Sequence, residues 1–349
     1  MPPPSLQAPA AVVMVRPRHF TPNPETAADN AFQAHAAGQP PDETARRAYA
    51  EVSDAAARLQ DAGVRVHLFE DDGRRHTPDS VFPNNWFSTH AGGHVALYPM
   101  FAPSRRRERR SDIIEHLKAE YRVQDVIDYS GLEQDGMFLE GTGAMVLDHV
   151  ARIAYTAQSN RANAVALERF CTHFNFEPMA FATADAQGQP CYHTNVMLCV
   201  GTDFALGGFY LIADPQRRAA VRERLREGGR ELIELDARQI GEFAGNALEL
   251  TGRSGQRLLA LSERACASLT RGQKAVIKRS ATLLPLRVPT LELAGGSVRC
   301  MLAGIHLARR RVAFSEPARA PAASPGDSDC IAQADNISEN NSAAALIEQ

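Results

Sequence analysis

Residues 193–211 read HTNVMLCVGTDFALGGFYL, and the pattern in this stretch decides the fold. Two short apolar runs flank the turn residues Gly201 and Thr202, which is typical of a β-hairpin. Asp214 and Pro215 follow, and this pair favours the start of a helix because aspartate caps free backbone N–H groups and proline suits the first turn. The stretch therefore predicts two strands followed by a helix over 215–228.

The same pattern recurs along the chain. Further hairpins are predicted at 82–99 with a turn at 91–93, at 137–155 with a turn at 148–149, and at 246–261 with a turn at 254–255. Helices are predicted at 42–62, at 105–120 after Ser104, at 161–174 after Asn160, at 215–228 and at 263–279. Each unit thus consists of strand, strand, helix and strand, which is the signature of an internal repeat.

The first strands of the hairpins carry five polar or reactive residues at one repeating position, 53 to 55 residues apart. These residues are Asn85, Glu140, His193, Asn246 and Cys300. The strand at 11–17, the helix at 42–62 and the strand at 64–70 complete the fifth unit. We therefore predict an α/β fold in which five units close into a ring, because closure protects the edges of the sheets. The alternative is an α/β protein whose hairpins recur at similar spacing without forming a ring.

The composition excludes several classes of protein. Of the 349 residues, 44% are hydrophobic and 23% are charged, as in a folded globular protein. The net charge of -3 gives no electrostatic support for a nucleic-acid or anionic-membrane partner. No apolar run approaches the ~18 residues of a membrane span, and the first residues do not resemble a secretory signal. We expect one domain over 1–315 and a disordered tail, rich in Pro, Ala, Ser, Asp and Asn, over 316–349.

The six cysteines form no C-x-x-C pair and lie beside no histidine pair with metal-ligand spacing. We therefore expect no metal, no disulfide framework and a cytoplasmic location. Cys300, in AGGSVRCM, differs from the others because two glycines before it allow close backbone approach. Together with His193 and Glu140 it supplies a nucleophile, a proton carrier and an orienting carboxylate.

Two further polar segments are candidates for substrate binding. TPDSVFPNNWF, at 77–87, carries Asp79, Asn84 and Asn85 beside aromatic residues that can wall a pocket; the alternative is ordinary turn chemistry. SRRRERR, at 104–110, places arginines at a helix start, where the helix dipole disfavours them and a ligand carboxylate would compensate. Arg161 occupies the comparable place one unit later.

The chain resembles the guanidino-group-modifying enzymes of the pentein fold, which include arginine deiminases, dimethylarginine dimethylaminohydrolases and amidinotransferases. It looks most like the citrulline-utilisation hydrolases, or citrullinases. The motifs that carry the resemblance run in order from Val12 to Leu307, and they are VRPRHF, TPDSVFPNNWF, RRRERR, LEGTG, SNRAN, YHTNVM, FAGN and GGSVRCM. The resemblance implies a five-bladed αβ propeller of pseudo-symmetric ββαβ units, closed by the N-terminal strand.

The resemblance also implies roles for individual residues. Cys300 would be the nucleophile, His193 the general acid/base and Glu140 a carboxylate of the site. The substrate α-carboxylate would be held by Arg161 with Arg105 or Arg106, and Asp79 would contact the substrate. No cofactor is implied, and the expected partner is a small amino acid; a homo-oligomer is compatible with the sequence.

Two positions depart from the arginine deiminases, which place aspartates around the cationic guanidinium. Asn85 and Asn195 stand there in this chain. An asparagine amide offers a donor and an acceptor to a neutral ureido group, whereas two unpaired carboxylates around a neutral ligand would be costly. We therefore expect hydrolysis of L-citrulline to ornithine, CO2 and ammonia through a covalent cysteine intermediate. Gly304 is a second departure, because a glutamate is expected there in the citrullinases.

Two alternatives remain open at this stage. The first is the same chemistry on a guanidino substrate, by an arginine deiminase, an arginine dihydrolase or a dimethylarginine dimethylaminohydrolase. The second is a non-enzymatic binding factor, since the pentein ring also serves as a ribosome-binding factor. A binding factor has no need for Cys300, His193 and Glu140 in one register.

Overall fold

Five three-stranded sheets of one design make up the described part of the protein, residues 6–34 and 40–310 of a computed structural model. In each sheet the central strand pairs antiparallel with one neighbour and parallel with the other. The strands are β1 Ala11–Pro17, β2 Arg65–Asp71, β3 Phe87–His90, β4 His94–Leu97, β5 Asp125–Asp128, β6 Met145–Asp148, β7 Ile153–Ala157, β8 Glu177–Phe181, β9 Leu198–Val200, β10 Phe204–Gly207, β11 Glu231–Glu234, β12 Leu248–Thr251, β13 Arg257–Ser262, β14 Thr282–Leu286 and β15 Ala303–Gly304.

The longer helices connect the central strand of a sheet to its parallel neighbour. The short helices lie in the loops between these elements. The helices are α1 Pro41–Asp61, α2 Pro103–Arg106, α3 Ser111–Glu120, α4 Gly141–Ala144, α5 Ala164–Phe174, α6 Pro215–Glu227, α7 Ala237–Gly241, α8 Glu263–Ser268, α9 Arg271–Lys278 and α10 Val298–Met301. Asp214 caps α6 as predicted, accepting from the backbone N–H groups of Gln216 and Arg217. The cap of α5 is Asn163, three residues later than predicted.

The fifth sheet confirms the predicted ring closure. Its order is β15–β1–β2, so the N-terminal strand lies between two strands from opposite ends of the described chain. Val12 pairs with Gly304 in the antiparallel ladder, and Ala11 pairs with Arg65 in the parallel one. The apolar side of α1, with Val52 and Leu59, packs in the same buried cluster as β1. Both edges of β1 are therefore paired with other strands, and neither is left open.

Two predicted helices are each broken in two. The stretch 105–120 forms α2 and α3, because the chain is extended at Arg110 and Glu108 folds back onto Arg105. Ser104 lies inside α2 rather than capping a longer helix. The stretch 263–279 forms α8 and α9, because Thr270 starts a new capping box with Gln273.

The repeating position lies just before the first strand of each unit, not within that strand as predicted. It falls on short helical turns, such as Pro83–Asn85, α4 and α10, or immediately before them. This position suits a shared centre, because the side chains of a tight turn at the inner end of a strand point towards the middle of the ring. The predicted turn at 148–149 is longer and spans 149–152.

No helix in the described ranges is both long and apolar enough to cross a bilayer. The five cysteines within those ranges carry free thiols. The predicted tail, 316–349, lies outside the described residues, so its disorder stays a prediction.

Candidate active site

Side chains from all five units meet at the centre of the ring. They are Asn85, Glu140, His193, Asn246 and Cys300, the five residues of the repeating position. Each is at most 2% exposed. Hydrogen bonds join them across units, since His193 contacts Glu140 and Asn246 contacts Cys300. Equal spacing along the chain has thus become proximity in space.

The thiol of Cys300 faces two side-chain amides. The Asn246 Nδ2 atom lies 3.2 Å and the Asn195 Nδ2 atom 3.5 Å from the Cys300 sulfur. Asn84 Nδ2 donates to the Cys300 carbonyl at 2.5 Å, which fixes the short helix α10 against the neighbouring unit. Two amides from different units thus hold the sulfur of Cys300 in place.

His193 is held by Glu140 in a dry environment. The Nε2 atom of His193 lies 2.8 Å from the Oε2 atom of Glu140, and both side chains are buried. Burial lowers the pKa of His193 to about 4, although the Glu140 carboxylate opposes this effect. Burial alone would raise the pKa of Glu140, but Arg161, His193 and Arg105 lower it below its usual range. At neutral pH a neutral imidazole is therefore oriented by an ionised carboxylate.

Two arginines approach the Glu140 carboxylate. The Nη1 atoms of Arg105 and Arg161 both lie 3.6 Å from the Glu140 Oε2 atom. Arg105 binds Glu108 with two hydrogen bonds of 3.0 Å, and Arg161 forms a two-pronged ion pair with Asp29. Carboxylates thus fix the Nε and Nη2 atoms of both guanidinium groups, and both Nη1 atoms face Glu140.

Arg105 stays charged despite complete burial. Burial lowers its pKa, but the carboxylates of Glu108, Asp79 and Glu140 outweigh this and raise it. Burial also raises the pKa of Asp79, and it raises the pKa of Glu108 to about 8. The amide of Asn85 is satisfied when its oxygen faces Arg105, 2.8 Å from Nη1.

Six of the predicted residues line one cavity, and they are Asp79, Asn85, Arg105, Arg161, His193 and Cys300. The rest of the wall comes from Thr26, Asn30, Phe82, Tyr192, Ala294 and Gly296. The cavity volume is about 10 Å³, roughly the space of one water molecule. An amino acid therefore enters only when part of the wall moves.

Three predicted substrate-binding residues lie elsewhere. Arg106 points away from the cavity, because its guanidinium donates to the carbonyls of Met100 and Phe101. Asn84 and Asn195 do not line the cavity either. They contact Cys300 and each other, so they brace the thiol instead of facing a ligand.

The arginines of 104–110 have local partners, which corrects the reason we gave for their clustering. The guanidinium of Arg107 donates to the carbonyls of Arg75 and His76. Arg109 binds Glu133, and Arg110 binds Asp112. Most of this charge run therefore ties loops together, and Arg105 is its one member in the cavity wall of the described residues.

Three residues of the site were missed as candidates. Asn246 was part of the repeat, and the FAGN motif could have identified it as a neighbour of Cys300. Glu108 and Asp29 hold the two arginines, and Asp29 lies in a segment with no periodic pattern. Its role could not have been found without the folded chain.

Gly143 keeps space open beside the imidazole. A Cβ atom at this position would lie 2.1 Å from the nearest side-chain amide atom of Asn85 and 2.9 Å from the His193 Nδ1 atom. Among the described residues no group of three or more histidine, cysteine, aspartate or glutamate side chains is arranged to hold a metal ion.

Comparison with known families identifies the family of this chain. The model of the eukaryotic N,N dimethylarginine dimethylhydrolases matches residues 16–307. None of the curated protein sequences compared with this chain matches it.

Solved structures share the fold. The N-terminal domain of ArgZ, an arginine dihydrolase from the ornithine-ammonia cycle in cyanobacteria, has a TM-score of 0.65 at 16% identity, over 84% of this chain and 97% of that one. Unliganded AgrE has a TM-score of 0.66 at 16% identity, over 86% of this chain and only 40% of AgrE. A dimethylarginine dimethylaminohydrolase adduct has a TM-score of 0.57 at 15% identity, over 86% of this chain and 99% of that one. These likenesses confirm the predicted pentein fold.

Proposed function

Because the chain belongs to the N,N dimethylarginine dimethylhydrolase family, we propose that it is a cysteine-dependent hydrolase of the terminal ureido or guanidino group of an amino acid. The family match and the convergence of Cys300, His193 and Glu140 support this proposal. A thiol flanked by amide donors and a neutral imidazole in one cavity is a suitable nucleophile and proton carrier.

Within this class we propose L-citrulline as the substrate. The observation that carries this choice is the charge of the cavity wall. Among its described residues the ionisable acidic and basic side chains that carry charge are Arg105, Arg161 and Asp79. The Asp79 carboxylate lies 3.8 Å from Arg105 and accepts a hydrogen bond from Asn23. The cavity thus has two cations for a substrate carboxylate and the amide of Asn85 for a neutral ureido group. A guanidinium would bring a third cation into this wall.

Substrate binding would use the Nη1 edges of the two arginines, and the substrate carboxylate would share the Arg105 edge with the Asn85 oxygen. The α-carboxylate of citrulline lies between Arg105 and Arg161, whose remaining N–H groups are occupied by Glu108 and Asp29. The Asn85 amide orients the ureido group towards Cys300 and His193. Because Asn85 also contacts Arg105, its orientation is fixed before the substrate arrives.

The chemical steps then need only the thiol, the imidazole and one water molecule. Cys300 gives its proton to His193, and the thiolate attacks the ureido carbon. The imidazolium protonates the departing nitrogen, and the carbonyl carbon stays bonded to the sulfur of Cys300 as an S-carbamoyl group. His193 removes a proton from water as the water attacks this carbon, the C–S bond breaks, and the imidazolium returns the proton to the sulfur. The carbamic acid that is released splits into CO2 and the second amine, so that ornithine, CO2 and ammonia are formed in total.

An arginine substrate is the second candidate, and one specific observation favours it. The Oδ1 atom of Asp79 is buried and has no hydrogen-bond partner among the described residues. A carboxylate oxygen of this kind could accept from a guanidinium. ArgZ, which shares the fold, is an arginine dihydrolase, and dimethylarginine is the substrate in the name of the matching family.

A substrate screen separates these candidates. The purified protein is incubated with equal concentrations of L-citrulline, L-arginine and N,N-dimethylarginine, and ornithine, citrulline and ammonia are quantified together. We expect ornithine and ammonia from citrulline, and no product from the Cys300→Ala control. Turnover of arginine with citrulline left intact would reject the citrulline assignment in favour of the second candidate.

The non-enzymatic alternative has its own test. An active-site thiol should react rapidly with iodoacetamide, and citrulline should protect it. A thiol that labels slowly and without protection, in a protein inert to all three amino acids, would contradict the proposal of an enzyme.

A further inference from the structure

A second cavity lies on the other side of the central layer of the ring. Its wall includes residues of β3, β6, β9, β12 and β15, which are the first strands of all five units. These strands lead away from the turns that carry Cys300 and His193. The cavity volume is about 40 Å³, which exceeds the ~10–15 Å³ that a single water needs.

One guanidinium and two imidazoles line this cavity. Arg299, His149 and His306 line it, and no aspartate or glutamate does so among the described residues. The rings of His149 and His306 are stacked with their centroids 3.8 Å apart. Both imidazoles thus lie in one cluster with the guanidinium of Arg299.

Arg299 has no counter-ion within the described ranges. Its Nη1 atom donates to the Leu302 carbonyl at 3.1 Å, and the side chain forms no ion pair with a described carboxylate. The contrast with Arg105 and Arg161 is clear, because each of those is bound by a carboxylate. Arg299 is half-buried, and a guanidinium that is partly withdrawn from water is stabilised by an anion or by several acceptors.

The surroundings of both histidines disfavour their protonated forms. Burial and then the charge of Arg299 lower the pKa of His306 to about 4. Burial lowers the pKa of His149 well below its usual value, and electrostatic interactions with neighbours that include Arg152 and Arg299 lower it further. An anion in the cavity would reverse the electrostatic part of this effect.

We propose that this cavity binds a small inorganic oxyanion of the phosphate class, with Arg299 as its main ligand and His149 and His306 as further donors. The Nε and Nη2 atoms of Arg299 are the guanidinium groups left for the anion. This site is separate from the carboxylate-binding edges of Arg105 and Arg161, and it does not depend on the proposed reaction.

Titration with sodium phosphate tests the proposal, at constant ionic strength maintained with sodium chloride. We expect saturable binding in calorimetry and a matching rise in melting temperature. Arg299→Met should weaken phosphate binding at least about thirtyfold, the loss typical of removing one partner of a buried charge pair. Arg299→Lys, which retains the charge, should keep part of the affinity.

The active-site arginines provide the matched control, because they too can attract an anion. Arg161→Gln removes a cation from the active-site cavity, and it should leave phosphate binding unchanged. Loss of binding in Arg161→Gln with retention in Arg299→Met would overturn the proposal.

Crystals of the unaltered protein give a test that needs no variant. After a soak in sodium selenate, the anomalous signal of selenium should appear beside the Arg299 guanidinium. A selenium signal confined to other sites, or its absence from this cavity, would contradict the proposal even if Arg299→Met fails to fold.

Discussion

The side-chain amide nitrogen of Asn246 lies 3.2 Å from the sulfur of Cys300. The Oδ1 atom of Asn246 accepts from the backbone N–H of Arg299 at 3.1 Å, which leaves only the NH2 end of the amide for the thiol. Arg299, the residue before Cys300, thus orients the amide that faces the Cys300 sulfur.

Asn246→Asp should slow the alkylation of Cys300 at neutral pH by tenfold or more. A carboxylate opposes the thiolate, whereas the amide donates to it, and one pKa unit changes the thiolate fraction about tenfold. The pH profile of iodoacetamide labelling measures this, and Asn246→Ala should give a smaller shift than Asn246→Asp. Identical profiles for all three proteins would show that Asn246 does not act on the sulfur.

Asn85→Asp should shift preference from citrulline towards arginine. Asn85 lines the cavity, so a carboxylate there would compensate a guanidinium and remain uncompensated beside a ureido group. The ratio of kcat/KM for the two substrates is the measurement. Asn84→Asp is the matched control, because Asn84 supports the Cys300 carbonyl instead of lining the cavity. It should lower both activities without changing their ratio, and an unchanged ratio in Asn85→Asp would contradict the charge argument.

Arg161→Gln should raise KM for the amino acid by about tenfold to a hundredfold, with a smaller effect on kcat. The guanidinium lies in the cavity wall, and its loss removes one charge-assisted bond to the substrate carboxylate. Arg106→Gln is the comparison, since Arg106 binds backbone carbonyls outside the cavity. We expect its KM within about twofold of the original. Equal effects of the two variants would refute the assignment of Arg161.

Gly143→Ala should lower kcat by about a hundredfold or more, since its methyl group would displace Asn85 and the His193 ring. Gly272→Ala, in α9, is the control because its nearest heavy atom would be 4.0 Å away. That variant should be fully active and slightly more stable, as expected for alanine in place of glycine in a helix. Full activity in Gly143→Ala would show that the space beside His193 is not required.

The buried histidines should make the protein less stable as the pH drops from about 6.5 towards 4, whereas Glu108, whose pKa burial raises to about 8, contributes in the opposite direction. Burial lowers the folded-state pKa of His193 and of His306 to about 4, so below the usual histidine value the unfolded chain binds more protons. The lowered pKa of Glu140 acts in the same direction at still lower pH. Chemical denaturation at several pH values gives the slope.

His193→Gln removes one of these proton-binding groups, so its slope between pH 6.5 and 4 should be shallower. His19→Gln, which alters an exposed histidine, is the matched control for the loss of one histidine side chain. A slope unaffected by His193→Gln would mean that the imidazole titrates alike in both states.

The central cluster was predictable from the repeat, because in a closed ring of similar units the residues at equivalent positions lie close together. The sequence therefore identified Cys300, His193 and Glu140 as neighbours. It also predicted that the N-terminal strand completes the last sheet, since an unpaired edge would be left without it.

The direction of individual side chains was less predictable. Asn85 lines the cavity while Asn84 braces Cys300, and Arg105 enters the wall while Arg106 turns outward. Neighbouring residues on a short helical turn point in different directions, and packing from other units decides which one faces inward. Asp29 was not predicted because only the folded chain brings it to Arg161.

Pairing of β1 with β15 joins the two ends of the described chain beside the proposed nucleophile. Cys300 precedes β15 by three residues, and Gly304 of β15 pairs with Val12. A shortened polypeptide without this segment would still contain Glu140 and His193. It would lose the Cys300 thiol and expose one edge of β1 at the same time.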